Sequence, residues 1–203
     1  MNRDYKSDGR DGDSPQRVVV GISGASGVIL GIRTLEILQK MPDVETHLVV
    51  SPAAKITIIQ ETDWSVDDVV ALADYHYKFQ DIGASIASGS FKTMGMVIVP
   101  CSIKTLSSVA NSFAADLMSR TADVTLKEGR LLILAVRETP LHPGHIRLMK
   151  QAAASGAIIY PPMPVFYPRP QTIEDIVDNL VGRLLARMGI ENEHYLKWDG
   201  KNS

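Results

Sequence analysis

Two apolar periods alternate along this chain. The β-branched run Val18-Val19-Val20 predicts a buried strand, and Ile29, Ile32, Leu35 and Leu38 then recur at helical spacing. Thr46 to Val50 predicts a second strand, Ala53 to Gln60 a helix, and Ser65 the cap of a helix through Val66, Val69, Val70 and Leu72. A strand from Met96 to Val99 stops at Pro100-Cys101-Ser102. A helix from Leu117 to Lys127 leads into a buried strand, Leu131 to Val136, which delivers Arg137-Glu138-Thr139-Pro140 at its end. A helix near His145 to Ser155, a short strand from Ala157 to Tyr160, a proline-rich crossing from Pro161 to Pro170 and a helix from Ile173 to Met188 complete the pattern. Thr172 with Asp175 supplies the capping signal of that last helix. Strands alternating with helices predict an α/β fold: a three-layer, doubly wound, mostly parallel sheet in a single domain.

The junction after the first strand changes the picture from fold to chemistry. Gly21-Ile22-Ser23-Gly24-Ala25-Ser26-Gly27 joins a strand to a helix through small residues, which lets backbone N–H groups and the positive end of the helix face an anion. Its spacing, G-x-x-G-x-x-G, is neither the dinucleotide fingerprint nor the Walker pattern, so a plain tight turn remains an alternative. The second strand ends in Ser51-Pro52-Ala53-Ala54-Lys55, without the acid that an NAD-binding domain uses to hold a ribose. A mononucleotide is therefore favoured over a dinucleotide, and flavin mononucleotide (FMN) fits a doubly wound sheet that binds at its strands' carboxyl ends. Ser102 and Thr105 lie just past such an end. They can meet a flavin, or Ser102 can simply cap a helix.

Composition narrows the partners. The 203 residues, 45% of them hydrophobic, suffice for one well-filled core. A formal net charge of −2 and the lack of a Lys/Arg-rich run disfavour nucleic acid, while scattered cations can still converge on a small anion. One cysteine, no signal-peptide pattern and no membrane-length apolar run point to a cytoplasmic protein. Residues 1–16 are rich in Asp, Arg, Gly and Ser and are expected to form a disordered leader, ahead of a domain over 17–198 and a tail over 199–203.

Arg120 and Lys127, seven residues apart on one predicted helix, point to the same side and suit a phosphate or an ordinary solvated face. Arg183 interrupts an apolar helical pattern, so it either has a buried partner or snorkels to water. Glu138 follows a buried strand and adjoins Arg137, so burial and the neighbouring cation would push its pKa in opposite directions. Glu61 suits a cap for the helix that follows it. His142 and His145 lack the further ligands of a metal site and fit the start of a helix, and Cys101 reads as a small buried residue.

Taken in order, Gly24-Ala25-Ser26-Gly27, Glu61-Thr62-Asp63, Ala87-Ser88-Gly89-Ser90, Pro100-Cys101-Ser102, Arg120 with Lys127, Arg137-Glu138-Thr139-Pro140, Phe166-Tyr167, Arg183 and Trp198 resemble the UbiX-like flavin prenyltransferases. The stretch Glu138 to His145 is especially similar to the hydroxyarylic (phenolic) acid decarboxylase branch of that family, in which the same enzyme type stands beside a decarboxylase. The resemblance implies a Rossmann-like or flavodoxin-like fold. It also implies transfer of a dimethylallyl group from dimethylallyl monophosphate to reduced FMN, at N5 and C6, giving prenylated FMN for a UbiD-type decarboxylase.

By that similarity, Gly24, Ala25, Ser26, Ser51, Ser102, Ile103, Lys104, Thr105 and Arg137 hold FMN, and Arg120, Lys127, Tyr167 and Arg183 grip the prenyl phosphate. Glu138 is the acid/base group, with Glu61, Ser26 and Trp198 completing a metal-free catalytic pocket. The family pattern further implies a homo-oligomer, a dodecamer, in which one chain closes the site of another. Pro143-Gly144 departs from the set and is expected to loosen the start of the helix beside Glu138. Two rivals share the sheet. A peptidyl-cysteine-type decarboxylase would carry a histidine between Gly27 and Met41, where this chain has none. A non-catalytic flavin-binding subunit would need none of the phosphate grip.

Overall fold

A computed structural model describes residues 15–197 and residue 200 of the chain. Among them, six strands form one sheet: β1 (Gln16–Ile22), β2 (Val44–Val50), β3 (Tyr75–Tyr77), β4 (Gly95–Cys101), β5 (Leu131–Val136) and β6 (Ile158–Ile159). Every pairing is parallel, and the spatial order is β3-β2-β1-β4-β5-β6. The chain winds outward from β1 to β3, then returns to lay β4 on the other side of β1. The order therefore reverses between β1 and β4, where a doubly wound sheet opens a crevice at the strands' carboxyl ends.

Among the described residues, seven helices cover the two faces: α1 (Val28–Leu38), α2 (Pro52–Glu61), α3 (Val66–Ala71), α4 (Ile103–Ala110), α5 (Leu117–Lys127), α6 (Pro143–Ala154) and α7 (Ile173–Arg187). Strand alternation decides which face each residue serves. Val18, Val20, Ile22, Val97 and Val99 form one core with the apolar sides of α1, α2, α3 and α7. Val19, Met96, Ile98 and Leu134 form the other with α4, α5 and α6. Each fully buried Val, Leu or Ile contributes about 1.5–3 kcal/mol relative to exposure. Close approach is itself specified: a Cβ on Gly31 would collide with the Val99 carbonyl, so α1 can lie flat on β4 only with glycine there. Across the first face, the Arg33 guanidinium fork donates to both Asp178 oxygens at 2.6 and 3.1 Å, fastening α1 to α7.

The helix over Leu117–Lys127 and the strand over Leu131–Val136 stand where the pattern predicts them. Other elements differ. Helix α6 starts at Pro143 rather than His145, because proline at the first helical position lacks only an N–H that would be unpaired anyway, and the His142 ring caps it by accepting the Gly144 N–H at 3.0 Å. Pro143-Gly144 thus begins the helix rather than loosening it. Strand β1 starts at Gln16, inside the expected leader, whose other positions, save Pro15, lie outside the described residues. The β6 pairing covers two residues only, and β3, α4 and a 3-10 turn at Ser85–Ala87 had no periodic signal long enough to announce them.

Candidate functional site

Three helix N-termini meet at the β1/β4 switch point. Helix α1 begins after Gly27, α2 after Ser51 and α4 after Ser102. The loops are tied by Ser23, which is 1% exposed. Its hydroxyl donates to the Pro100 carbonyl at 2.9 Å and accepts the Ser102 N–H at 2.8 Å, so the loops after β1 and β4 move as one unit. The Ser51 N–H donates to the Ile22 carbonyl at 3.0 Å, adding the loop after β2.

Gly24 lies so close to the start of α2 that a Cβ there would collide with Ala53. Gly27 caps α1 with φ of 93°, a conformation glycine adopts without strain. The Gly27 N–H donates to Glu61 at 2.8 Å. Glu61 therefore braces the glycine loop from the end of α2, and Ser65 rather than Glu61 caps the following helix, accepting the Asp68 N–H at 3.1 Å. Ser51 and Ser102 cap their helices by accepting from Ala54 and Thr105 at 3.1 and 3.3 Å, and the Ser102 and Thr105 hydroxyls are 3.1 Å apart. This arrangement fits an anionic mononucleotide: the glycine cradle would be filled by any side chain, and helix N-termini present N–H groups and positive potential.

Arg137 and Glu138 follow β5 on the same rim. The Arg137 N–H donates to the Cys101 carbonyl at 3.0 Å, and the Glu138 carboxylate accepts the Thr139 N–H at 2.9 Å. Both residues are exposed, so this chain alone supplies none of the burial expected around Glu138.

The four residues expected to grip a phosphate are not gathered. Arg120 and Lys127 do share a flank of α5, on one face of the sheet. Arg120 is held by Asp123 at 3.3 Å and Lys127 by its neighbour Glu128, whose carboxyl that contact holds below its usual range. Arg183 is on α7, on the opposite face, and it is exposed, which settles the snorkelling alternative. Burial raises the nearby Tyr160 phenol while the Arg183 charge partly offsets it. The Tyr167 hydroxyl donates to the Leu196 carbonyl at 2.7 Å. Trp198 lies outside the described residues. Cys101 is fully buried, and desolvation pushes its thiol far up, which removes it as a nucleophile.

Two features escaped sequence reading. Ser23 carries no signal beyond membership in the small-residue run, because its work is to bond another loop. The turn at Ser88-Gly89-Ser90, quoted only as part of a motif set, lies against the end of α5: a Cβ on Gly89 would collide with Glu128 and stand 2.9 Å from Lys127 Nζ. A hydroxyl-glycine-hydroxyl triplet before a buried strand was the available signal.

The sequence model of the flavoprotein family matches residues 7–185. The flavin prenyltransferase UbiX of Escherichia coli K12 is 54% identical over 187 residues, 91% of this chain and 99% of that protein. A crystal structure of AnUbiX (PadA1) in complex with FMN and dimethylallyl pyrophosphate superposes with a TM-score of 0.90 at 46% identity, covering 93% of this chain and 100% of that one. A dodecameric FMN-dependent Ubix-like decarboxylase from Escherichia coli O157:H7 gives a TM-score of 0.89 at 46% identity, covering 91% and 100%.

Proposed function

This chain belongs to the flavoprotein family and, within it, to the UbiX-like flavin prenyltransferases, and on that premise we propose that it moves a dimethylallyl group from dimethylallyl monophosphate onto reduced FMN, bonding N5 and then C6. The observation that carries the flavin half is the convergence of the glycine loop, Ser51 and Ser102 at the switch point, with Arg137 and Glu138 on the same rim. FMN supplies two nucleophilic ring positions when it is bound reduced. Gly24, Ala25, Ser26, Ser51, Ser102, Ile103, Lys104, Thr105 and Arg137 would hold it, with backbone N–H groups and the Lys104 and Arg137 cations in place of a metal.

The donor loses phosphate as its allylic C–O bond breaks, and charge grows on the departing oxygens. Arg120, Lys127, Arg183 and Tyr167 supply three cations and a phenol to stabilise that charge. Glu138 moves the proton that accompanies phosphate departure and ring closure. Glu61, Ser26 and Trp198 shape the pocket around it.

One chain does not assemble that grip. Lys127 ends α5 just before β5 begins, whereas the flavin loops lie beyond the strands' other ends. The six residues of β5 alone span about 20 Å. Arg183 stands on the opposite face of the sheet again. We propose that the donor site is completed between copies of the chain in a homo-oligomer, a dodecamer as in the O157:H7 relative, and that the product serves a UbiD-type decarboxylase. The buried single cysteine suits a reducing compartment, in keeping with a cytoplasmic site of action, and no helix among the described residues is long and apolar enough to cross a membrane.

The test is to mix the purified protein anaerobically with reduced FMN and dimethylallyl monophosphate, without added metal, and to weigh the extracted flavin. A gain of one dimethylallyl unit supports the proposal. Unchanged FMN on a folded, flavin-retaining protein overturns it. A parallel reaction with the diphosphate reports donor selectivity.

A further inference from the structure

The sheet face that carries α5 holds a polar network around His47 that the proposed reaction does not use. His47, on β2, is 2% exposed, and both of its ring nitrogens are engaged. Nε2 lies 2.9 Å from a Glu45 oxygen that also accepts from Arg17 at 2.7 Å, and Nδ1 lies 2.9 Å from the Tyr77 hydroxyl. That hydroxyl continues to Ser85 Oγ at 3.1 Å, at the start of the 3-10 turn. The network also closes on itself, because the Arg17 guanidinium sits 4.6 Å over the Phe91 ring and the Phe91 edge meets His47 at 5.1 Å. Between Ser85 and Phe91 lies the turn whose glycine abuts Lys127.

The same turn is held from its other flank. Arg130 donates to the Gly89 carbonyl at 2.6 Å and to the Phe91 carbonyl at 2.8 Å, one fork spanning Ser90. Arg130 is three residues beyond Lys127. Its own N–H donates back to the Thr125 carbonyl at 2.9 Å, past Gly129 at φ of 68°. One helix end thus presents both a cation and the clamp on the wall beside it.

We propose that Arg130 and the Tyr77 hydroxyl are positioning residues for the donor phosphate, holding the Ser88–Ser90 turn against Lys127 so that its ammonium is presented in one direction. This rests on the reading that Lys127 grips the donor phosphate. A lysine head on a four-carbon stem is a mobile point charge, and only the groups packed beside it fix where the charge stands. Arg130 directly precedes β5, at the far end of that strand from Arg137, and Tyr77 reaches the turn through Ser85 rather than any flavin loop, so the clamp acts on donor affinity and leaves flavin affinity alone.

The experiment measures prenylation against dimethylallyl monophosphate concentration, and FMN affinity separately, for Arg130→Met, Arg130→Lys, Tyr77→Phe and Lys127→Met. Arg130→Met raises the donor KM roughly tenfold with kcat near wild type and FMN affinity unchanged, and Tyr77→Phe raises it roughly threefold. Arg130→Lys, which keeps one donor to one carbonyl, recovers part of the loss. An unchanged donor KM in both Arg130→Lys and Tyr77→Phe overturns the proposal even if Arg130→Met does not fold. A parallel fall in FMN affinity overturns it too. If Lys127→Met leaves the donor KM unchanged, the reading of Lys127 fails. If Lys127→Met raises it and the clamp variants do not, only the clamp fails.

Discussion

The carboxyl end of the sheet is shaped by backbone: a glycine loop, three helix N-termini and Ser23 tying the loops together. The amino end is shaped by side chains, with Lys127 and Arg130 at the end of α5 against the Ser88–Ser90 turn. The first end is complete within one chain, because strand ends and the helices after them are local neighbours. The second offers charge without a ligand cradle of its own, and the sheet holds it a full strand length from the flavin loops. On the proposed reading, the difference teaches that the flavin half of the site is a property of the fold and the donor half a property of the assembly.

Replacing Glu138 with Gln tests the carboxyl rim most severely. Prenylated flavin should fall by at least about 100-fold while FMN stays bound, as mass analysis of extracted flavin against total flavin would show. Equal losses of both would make Glu138 a binding residue instead.

The comparison breaks most directly by mixing. At a donor concentration well below the Lys127→Met KM, where Glu138→Gln and Lys127→Met chains are each nearly inactive alone, the co-assembled pair should regain activity at about a quarter of the sites if the two ends serve one pocket from different copies. No recovery in a confirmed mixed oligomer would put both residues in the site of a single chain.

Gly24→Val drives a side chain into Ala53 at the flavin cradle, and FMN affinity should drop about tenfold by fluorescence titration, with the donor KM unaffected at saturating flavin. Ser23→Ala leaves the buried Ser102 N–H without its acceptor and should cost about 1–3 kcal/mol in denaturant unfolding.

The smallest effect distinguishes the ends by pH. Burial lowers the His47 pKa, opposed by Glu45 and Asp74 and reinforced by Arg17, so the folded state holds the ring neutral. The unfolded chain then binds more protons below about pH 6.5, and stability falls as pH drops through that value. His47→Gln should flatten this part of the thermal-stability profile, whereas Ser23→Ala should shift it without changing its slope.

The alternation of strand and helix was legible because the buried faces impose periods of two and of about 3.6, and helix α5, strand β5 and the capping of α7 fall where those periods put them. The glycine loop was legible because only small residues fit a backbone cradle. Glu61 read in sequence as a cap for the helix that follows it, because a carboxylate accepts from the free N–H groups of a helix start. Its bond to Gly27, 34 residues earlier, exists only once α1 and α2 pack side by side. Pro143 was misjudged for a similar reason, because its effect depends on which helical position it occupies.

By itself, then, the sequence determined the mostly parallel doubly wound sheet and the small-residue turn after β1, since each follows from local periodicity or from the size of a side chain, while the residues of the chemistry were legible only through the ordered family resemblance. Only the tertiary structure decided that Ser23 locks two loops, that Glu61 braces the cradle and that Lys127 and Arg183 lie across the sheet from one another. Distances between residues far apart in the chain depend on strand order and on which face each helix covers, and no local pattern encodes either.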